Sequence, residues 1–236
     1  MKIVVINGNS RHGSTWNCKE LLLKAMEKHE EIEVKNFVLP NDMPHQCLGC
    51  FSCIMRGEDK CPHVGAVSPF VSALEQADVI VLTSPIYALD VSGQLKSLLD
   101  HLCFMWVSHR PNPKMFKKIG VTVATTAGFG LGHASKTMRY SLQYWGTRRI
   151  YALKMRVAAA KWEEVKDKTK QKAQNKSEKM AKNIVKSVKR IDRLQPNLFI
   201  RFMFRLMTGM MKKNTWNLTD RSHWEAQGWL EGGKPF

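Results

Sequence analysis

Short apolar runs and amphipathic segments alternate along the first 157 residues of the chain. Runs rich in β-branched and apolar residues predict buried strands. Five such runs are present, at Lys2–Ile6, Ile32–Leu39, Asp78–Thr83, Lys118–Thr125 and Arg149–Val157. Segments with helical spacing separate them, from a cap at Ser14 or Thr15 to about His29, then at Val67–Gln76, Val91–Phe104 and Gly132–Trp145. This alternation predicts the α/β class, with a doubly wound parallel sheet of five strands and helices on both faces.

The last third of the chain has a different pattern. Lys161–Leu194 contains no Gly or Pro and is rich in Lys, Glu, Ala and Gln, which predicts one long basic amphipathic helix. Asn197–Met211 is apolar with two arginines, and we expect it to pack on the parent domain or on a partner subunit. Trp216–Phe236 is expected to be irregular. The predicted division is therefore an α/β domain at 1–160 and a basic helical extension at 161–236.

Charge is concentrated in this extension. The formal net charge is +17, and residues 151–236 hold 20 of the 37 Lys and Arg residues but 8 of the 20 acidic ones. Such a segment suits nucleic acid, an anionic membrane surface or a polyanionic cofactor such as NADPH, or it is a solvated helix face. Nucleic acid is not the expected partner, because Lys166–Lys189 has almost no aromatic side chains to contact bases.

The chain also lacks the sequence marks of a membrane or secreted protein. No window holds the roughly 18 apolar residues of a membrane span, and the apolar N-terminus is too short for a signal peptide. We therefore expect a cytoplasmic protein without membrane association. In a reducing compartment the six cysteines are expected to be thiols, metal ligands or redox groups rather than disulfides.

The loop after the first strand carries the first candidate site. Gly8–Asn17 (GNSRHGSTWN) ends one strand and opens a helix, where backbone N–H groups and the helix dipole favour a phosphate. The hydroxyls of Ser10, Ser14 and Thr15 and the charge of Arg11 add donors. The loop has neither a Walker lysine nor a G-x-G-x-x-G pattern, so it suits a phosphate monoester such as that of FMN. An ordinary polar loop is the alternative.

Two later loops follow buried strands in the same way. Pro85, Ile86 and Tyr87 come after the third strand, where the proline stiffens the chain and the tyrosine offers a flat face to a planar ring. Thr126, Ala127 and Gly128 come after the fourth strand, in a glycine-rich loop whose backbone N–H groups can approach the edge of a flat heterocycle. Plain turns without a ligand are the alternatives. Carboxyl ends of parallel strands meet at one edge, so all three loops are expected at one site.

Four cysteines lie in the unpatterned segment from Pro40 to His63. The spacing is Cys47-x2-Cys50-x2-Cys53-x7-Cys61, followed by Pro62. Two short gaps and one longer gap allow four thiolates to surround a [4Fe-4S] cluster, and the Cys-Pro ending is similar to bacterial ferredoxin motifs. Zinc and free or redox-active thiols remain open, although zinc sites more often use two separated Cys pairs. Cys18 and Cys103 fall on predicted helices and are expected to be packing residues.

Together, these segments resemble the flavodoxin-fold NAD(P)H-dependent FMN reductases, and among them the iron–sulfur flavoproteins. The resemblance rests on IVVINGNSRHGSTW, on ADVIVLTSPIYALDVSGQLKSLLDH and on the cysteine spacing, and it covers Met1 to about Val157. It implies non-covalent FMN and a homodimer or homotetramer. Matching positions imply the phosphate ligands Ser10, Arg11, Gly13, Ser14 and Thr15, and the ring and ribityl contacts Pro85, Ile86, Tyr87, Ala127 and Gly128. Family members usually carry Asn where Ser14 stands.

Two functions follow from this resemblance. The first is an FMN-dependent oxidoreductase that takes electrons from NAD(P)H and passes them to a small-molecule or protein acceptor, either directly or through a [4Fe-4S] cluster. The flavin carries the chemistry, so no catalytic side chain is predicted. The second is an electron carrier that binds FMN and a cluster and is reduced by ferredoxin. A simple flavodoxin is typically smaller and acidic, whereas this chain has 236 residues and is basic.

Overall fold

Five parallel strands form the centre of the structure, a computed structural model that describes residues 1–159 and 161–236. The strands are β1 (Lys2–Asn7), β2 (Glu33–Val38), β3 (Val79–Pro85), β4 (Ile119–Thr126) and β5 (Arg149–Arg156). Their order in the sheet is β2-β1-β3-β4-β5. This is the flavodoxin-like order, and it confirms the predicted fold class. The order reverses direction between β1 and β3, which is where such sheets bind ligands.

Helices cover both faces of the sheet. They are α1 (Ser14–Glu27), α2 (Ser52–Met55), α3 (Val64–Gln76), α4 (Gly93–His101), α5 (Leu131–Tyr144), α6 (Asp167–Val188), α7 (Leu198–Lys212) and α8 (Leu218–Ala226). One core lies between the sheet and α3, α4 and α5, and the other lies between the sheet and α1 and α6. The central strand β3 is apolar on both faces because both faces are buried.

The helix α6 belongs to this layered unit. It packs beside α1, and Ala173, Ala181 and Ile184 are fully buried in the same core as the sheet. The first helix of the predicted extension therefore packs on the α/β domain, and residue 160, where the predicted division falls, lies outside the described part of the chain. The helix also begins later than predicted, at Asp167 instead of Lys161.

A third, smaller core holds the C-terminal segment against the domain. The inner face of α7 buries Ile200, Phe204, Met207 and Met211 against Phe116 and two tryptophans, Trp224 and Trp229. Trp224 lies on α8, in the segment that was expected to be irregular. That prediction was wrong because the side chain of Asn217 caps α8 by accepting a hydrogen bond from the Asp220 N–H at 3.0 Å, and Trp224 then anchors the helix in the core.

The outer face of α7 is apolar but exposed. Leu198, Phe202, Leu206 and Met210 recur every four residues along it, and each is at least 46% exposed. In the described part of the chain, no helix combines the length and the apolarity that a bilayer crossing requires.

Candidate functional site

Three loops meet at the carboxyl edge of the sheet, as their positions after β1, β3 and β4 predicted. They enclose an open cleft of about 210 Å³. Among the predicted residues, its lining includes Arg11, Gly13, Ser14, Thr15, Pro85, Ile86, Tyr87, Thr126 and Ala127. Ser10 and Gly128 are exposed and lie outside this lining. Four further residues line the cleft: Asn9 and Thr125, which belong to the predicted loops but were not named as ligands, and Val157 and Ala159, which sequence reasoning missed. The last two follow β5, and nothing in their local sequence indicates a site.

The N-terminus of α1 opens into this cleft. Its cap residue is Gly13, and among the described residues no side chain caps it, so the predicted capping by Ser14 or Thr15 was wrong. The first intrahelical hydrogen bond runs from the Asn17 N–H to the Gly13 carbonyl at 3.0 Å. The N–H groups of the three residues before Asn17 therefore precede the helical ladder, and the first turn carries no acidic side chain. Such a helix start offers several donors and a positive dipole end to an anion.

Side-chain hydrogen bonds tie the loops to one another. The buried hydroxyls of Thr15 and Thr125 lie 2.6 Å apart and join α1 to the end of β4. The amide of Asn9 donates to the Tyr87 hydroxyl at 3.4 Å and joins the first loop to the second. Tyr87 is half exposed, so its ring is available at the mouth of the cleft.

The loop after β3 contains a strained turn. Ala88 and Leu89 have φ values of 47° and 69°, the left-handed region that residues with a Cβ rarely adopt. Tyr87 and Asp90 close the turn through reciprocal backbone hydrogen bonds of 3.0 and 3.1 Å. Gly130 packs against it with a φ of 90°, and a Cβ on Gly130 would lie 2.7 Å from the Leu89 carbonyl oxygen. Strained non-glycine residues persist where surrounding structure holds them, and they cluster at binding sites.

The cysteine loop forms a second cavity, of about 240 Å³. Cys47, Cys50, Cys53 and Cys61 all line it, and they are joined by Cys103. The prediction that Cys103 is a packing residue was therefore incomplete, because the short 3₁₀ turn after α4 brings its thiol to the cavity. Cys18 is fully buried in the α1 core, where burial raises the pKa of its thiol to about 12, so it is a packing residue as expected.

Neighbouring groups shift the pKa values of four thiols of this cavity in different directions. A hydrogen bond from Cys103, supported by the charge of Arg110, lowers the pKa of the Cys53 thiol to about 6. A hydrogen bond with Ser52 lowers the pKa of Cys50. Burial raises the pKa of Cys61, and the hydrogen bond to Cys53 raises that of Cys103. The hydrogen bond from Cys103 and the nearby Arg110 guanidinium thus both favour the thiolate form of Cys53, the form in which cysteine binds metals.

Histidines and the helix α4 form the far wall of the cavity. The Nδ1 atom of His101 lies 4.0 Å from the Cys61 sulfur, and His63 packs edge-on against the His101 ring. The helix α4 is capped by Ser92, whose N–H donates to the Ser84 hydroxyl at the end of β3 at 2.9 Å, and its last residue is His101. Nine residues at a rise of ~1.5 Å give a length of about 13 Å. One short helix thus connects the two candidate sites.

In the described part of the chain, no three His, Cys, Asp or Glu side chains stand in an arrangement that could hold a single metal ion.

Comparison with known proteins gives the family. The family model of the NADPH-dependent FMN reductases matches residues 1–164, which include the whole sheet and all three cleft loops. The chain belongs to this family. This match confirms the predicted resemblance to the FMN reductases.

Curated relatives carry the name iron–sulfur flavoprotein. One from Archaeoglobus fulgidus is 29% identical over 148 residues, which cover 62% of this chain and 64% of the relative. A second, from Methanocaldococcus jannaschii, is 36% identical over 101 residues, 42% of this chain and 51% of the relative. A third, from Methanosarcina thermophila, is 27% identical over 147 residues, 61% of this chain and 72% of the relative. The matched segment thus spans between half and three quarters of these relatives.

Solved structures share the fold at lower identity. An NADH:FMN oxidoreductase in its apo form superposes with a TM-score of 0.51 and 20% identity, covering 78% of this chain and 89% of that one. A flavone reductase superposes with a TM-score of 0.57 and 17% identity, covering 84% of this chain and 66% of that one. Both likenesses concern the fold alone.

The residues of the cleft fit FMN. An open helix N-terminus without acidic residues suits the phosphate, and the half-exposed Tyr87 with the adjoining backbone suits a flat ring. The cysteine cavity is lined by Cys47, Cys50, Cys53 and Cys61, and the groups around Cys53 lower its pKa. Thiolates are the ligands of iron–sulfur clusters.

Proposed function

We propose that the protein is an FMN-dependent oxidoreductase that receives electrons from NAD(P)H and passes them to an acceptor, with a [4Fe-4S] cluster in the cysteine cavity as the intermediate carrier. The observation that carries the flavin assignment is the convergence of three loops on one cleft beside the N-terminus of α1. The observation that supports the cluster is the cavity lined by Cys47, Cys50, Cys53 and Cys61.

In this proposal the protein binds and orients, and the cofactors supply the redox chemistry. FMN accepts a hydride or two electrons and releases electrons singly, whereas a cluster passes one electron at a time. The N–H groups of Ser14 and Thr15, with the charge of Arg11, would hold the phosphate. Pro85, Ile86 and Tyr87 would bound one side of the ring, and Thr126 and Ala127 the other edge. The hydrogen bond from Cys103 and the charge of Arg110 would favour Cys53 as a thiolate ligand of iron.

The electron donor is tested by anaerobic mixing. We expect NADPH or NADH to bleach the flavin absorbance of the purified protein within seconds, without added ferredoxin. Reduced ferredoxin serves as the comparison. Rapid bleaching by ferredoxin together with no bleaching by either nucleotide would contradict the enzyme and support the electron carrier. The basic surface suits either donor, since NADPH and acidic ferredoxins are both anionic.

We also propose that the protein forms a homodimer or homotetramer. The exposed apolar face of α7, with Leu198, Phe202, Leu206 and Met210, is the surface that favours this assembly. Light scattering after gel filtration gives the mass directly, and Phe202→Glu should shift it toward the monomer. A monomeric wild-type protein would contradict the assembly.

A further inference from the structure

The cysteine loop carries Cys53 on α2, a helix of only four residues. So short a helix has little stability of its own, and its last carbonyls have no partners in the helix. The helical hydrogen bonds of α2 end on two carbonyls. The Phe51 carbonyl accepts from the Ile54 and Met55 N–H groups at 3.0 and 2.9 Å, and the Ser52 carbonyl accepts from the Arg56 N–H at 2.9 Å. Donors from outside the loop must therefore satisfy the carbonyls of Cys53, Ile54 and Met55.

Each of these carbonyls has such a donor. Arg110 donates through Nη2 to the Cys53 carbonyl and through Nη1 to the Ile54 carbonyl, the latter at 3.1 Å. Asn217 Nδ2 also donates to the Ile54 carbonyl at 3.1 Å. Thr219 Oγ1 donates to the Met55 carbonyl at 2.8 Å. Two of these three side chains belong to the cap and first turn of α8, more than 160 residues from the loop in sequence.

Asp220 organises these donors without touching the loop. Its carboxylate is 1% exposed and accepts hydrogen bonds from Arg110 Nη1 and from Asn217 Nδ2, the latter at 2.9 Å. It also pairs with His109 Nδ1 at 2.8 Å. A buried carboxylate that neutralises Arg110 and orients Asn217 fixes two donors of the Ile54 carbonyl at once. The positive guanidinium also lies at the carboxyl end of α2, where the helix dipole favours a cation.

We propose that α8 clamps the cysteine loop, with Asp220, Arg110 and Asn217 as positioning residues that hold Cys53 in the geometry of its cavity. The residues of the clamp beyond position 164 lie outside the segment that the family model matches. The C-terminal segment is then a structural part of the cysteine site. The consequence for iron retention rests on the proposed cluster, whereas the ordering of the loop does not.

Hydrogen exchange measured by mass spectrometry tests the ordering of the loop. The amide groups of Ile54, Met55 and Arg56 are the ones that α2 protects. In Asp220→Asn we expect these amides of the purified protein to exchange roughly tenfold faster, with the amides of the sheet unchanged. Arg221→Gln is the matched control, since it breaks only the exposed pair of Arg221 with Glu225 on the same helix and should change nothing.

A second variant covers the case in which Asp220→Asn unfolds the whole chain and exchange rises everywhere. Thr219→Val removes one partly buried hydroxyl at nearly constant volume and should still raise exchange in the loop several-fold. Loop exchange that stays at the wild-type rate in Thr219→Val, and in Asp220→Asn if it folds, would overturn the clamp.

Iron release to a chelator under anaerobic conditions tests the consequence. We expect Asp220→Asn to release iron about tenfold faster than the wild type and Arg221→Gln to release it at the wild-type rate. Equal rates in all three proteins would contradict the role of the clamp in metal retention. A wild-type protein without iron would overturn the proposed cluster, and the exchange measurement would still decide the clamp.

Discussion

The two candidate sites are built in opposite ways. The cleft at the carboxyl edge of the sheet is formed by short loops that directly follow β1, β3 and β4, so strand order alone brings Thr15 and Thr125 to 2.6 Å. The cysteine cavity is formed by a long segment whose longest helix is the four residues of α2, and its shape depends on groups far away in sequence, among them Cys103, Arg110 and Asp220. The sheet topology therefore specifies the cleft. The cysteine cavity also needs side-chain contacts from segments that are distant in sequence.

This difference predicts that the sites can be lost separately. Damage to one site should therefore leave the cofactor content of the other unchanged.

The largest effect is expected from loss of a predicted iron ligand. Cys61→Ser should abolish bound iron, because a hydroxyl is a much poorer ligand than a thiolate, while FMN content stays at the wild-type level. Cys18→Ala is the control, since Cys18 lies in the core beside α1 and away from the cavity. Analysis of the anaerobically purified proteins gives the iron content and the FMN content per chain. Full iron content in Cys61→Ser would remove this residue from the ligand set.

The next effect is expected from Gly130→Ala, at the glycine that packs against the turn after β3. The new Cβ must adopt a φ of 90° and meets the Leu89 carbonyl oxygen at 2.7 Å. We expect a loss of about 2–3 kcal/mol in the free energy of unfolding, with weaker FMN binding and unchanged iron content. Gly132→Ala, two residues further on, has open space for its Cβ and should be neutral. Denaturant unfolding of the two variants makes the comparison, and equal stabilities would contradict the packing argument.

A smaller effect is expected from Thr15→Val. The substitution leaves the buried hydroxyl of Thr125 without its partner and removes a donor from the cleft. FMN should bind with about a tenfold higher Kd, which corresponds to about 1.4 kcal/mol. Thr147→Val removes another buried hydroxyl, bonded to the Leu142 carbonyl at 2.9 Å, and should lower stability without changing the Kd. Flavin fluorescence titration measures the Kd, and an unchanged value for Thr15→Val would argue against this residue as part of the site.

The smallest effect concerns acid stability of the region around α8. Burial lowers the pKa of His223 below its ordinary value of 6.5, and in the neutral form its Nε2 donates to the Pro111 carbonyl at 3.1 Å. Since the unfolded chain takes up the proton first, this contribution to stability is present above pH 6.5 and is lost as the pH falls below it. His223→Gln should therefore lose less stability than the wild type between pH 7.5 and 5.5, by under about 1 kcal/mol. Thermal melts at the two pH values test this, and parallel losses would refute it.

Much of the flavin cleft could be predicted from the sequence, because it depends on local patterns. Buried strands and the loops that follow them are visible as apolar runs ending in polar residues, and parallel topology then places the loops together. Ser10 and Gly128 were selected by the same logic, yet both lie outside the cleft lining, since a position in a loop does not fix which of its atoms face the cleft. The backbone strain at Ala88 and Leu89 also leaves no mark in the sequence.

The cysteine site was only half predictable. The spacing of four cysteines predicted a site. The fifth thiol, that of Cys103, and the buried ion pair of Arg110 with Asp220 depend on tertiary contacts. The same limit affected the C-terminus, where Trp224 and the cap at Asn217 form a helix in a segment without clear periodicity. Side-chain contacts between residues far apart in sequence cannot be predicted from a single sequence. The cysteine cavity depends on such contacts more than the cleft does.

Native mass spectrometry of the anaerobically purified protein shows directly whether each chain holds both FMN and a [4Fe-4S] cluster. We expect a mass per chain that exceeds the polypeptide by one FMN and one [4Fe-4S] cluster. The FMN should be lost on mild denaturation because it is not covalently bound. A chain that carries neither group, or that carries a zinc ion in place of the cluster, would contradict the proposed function.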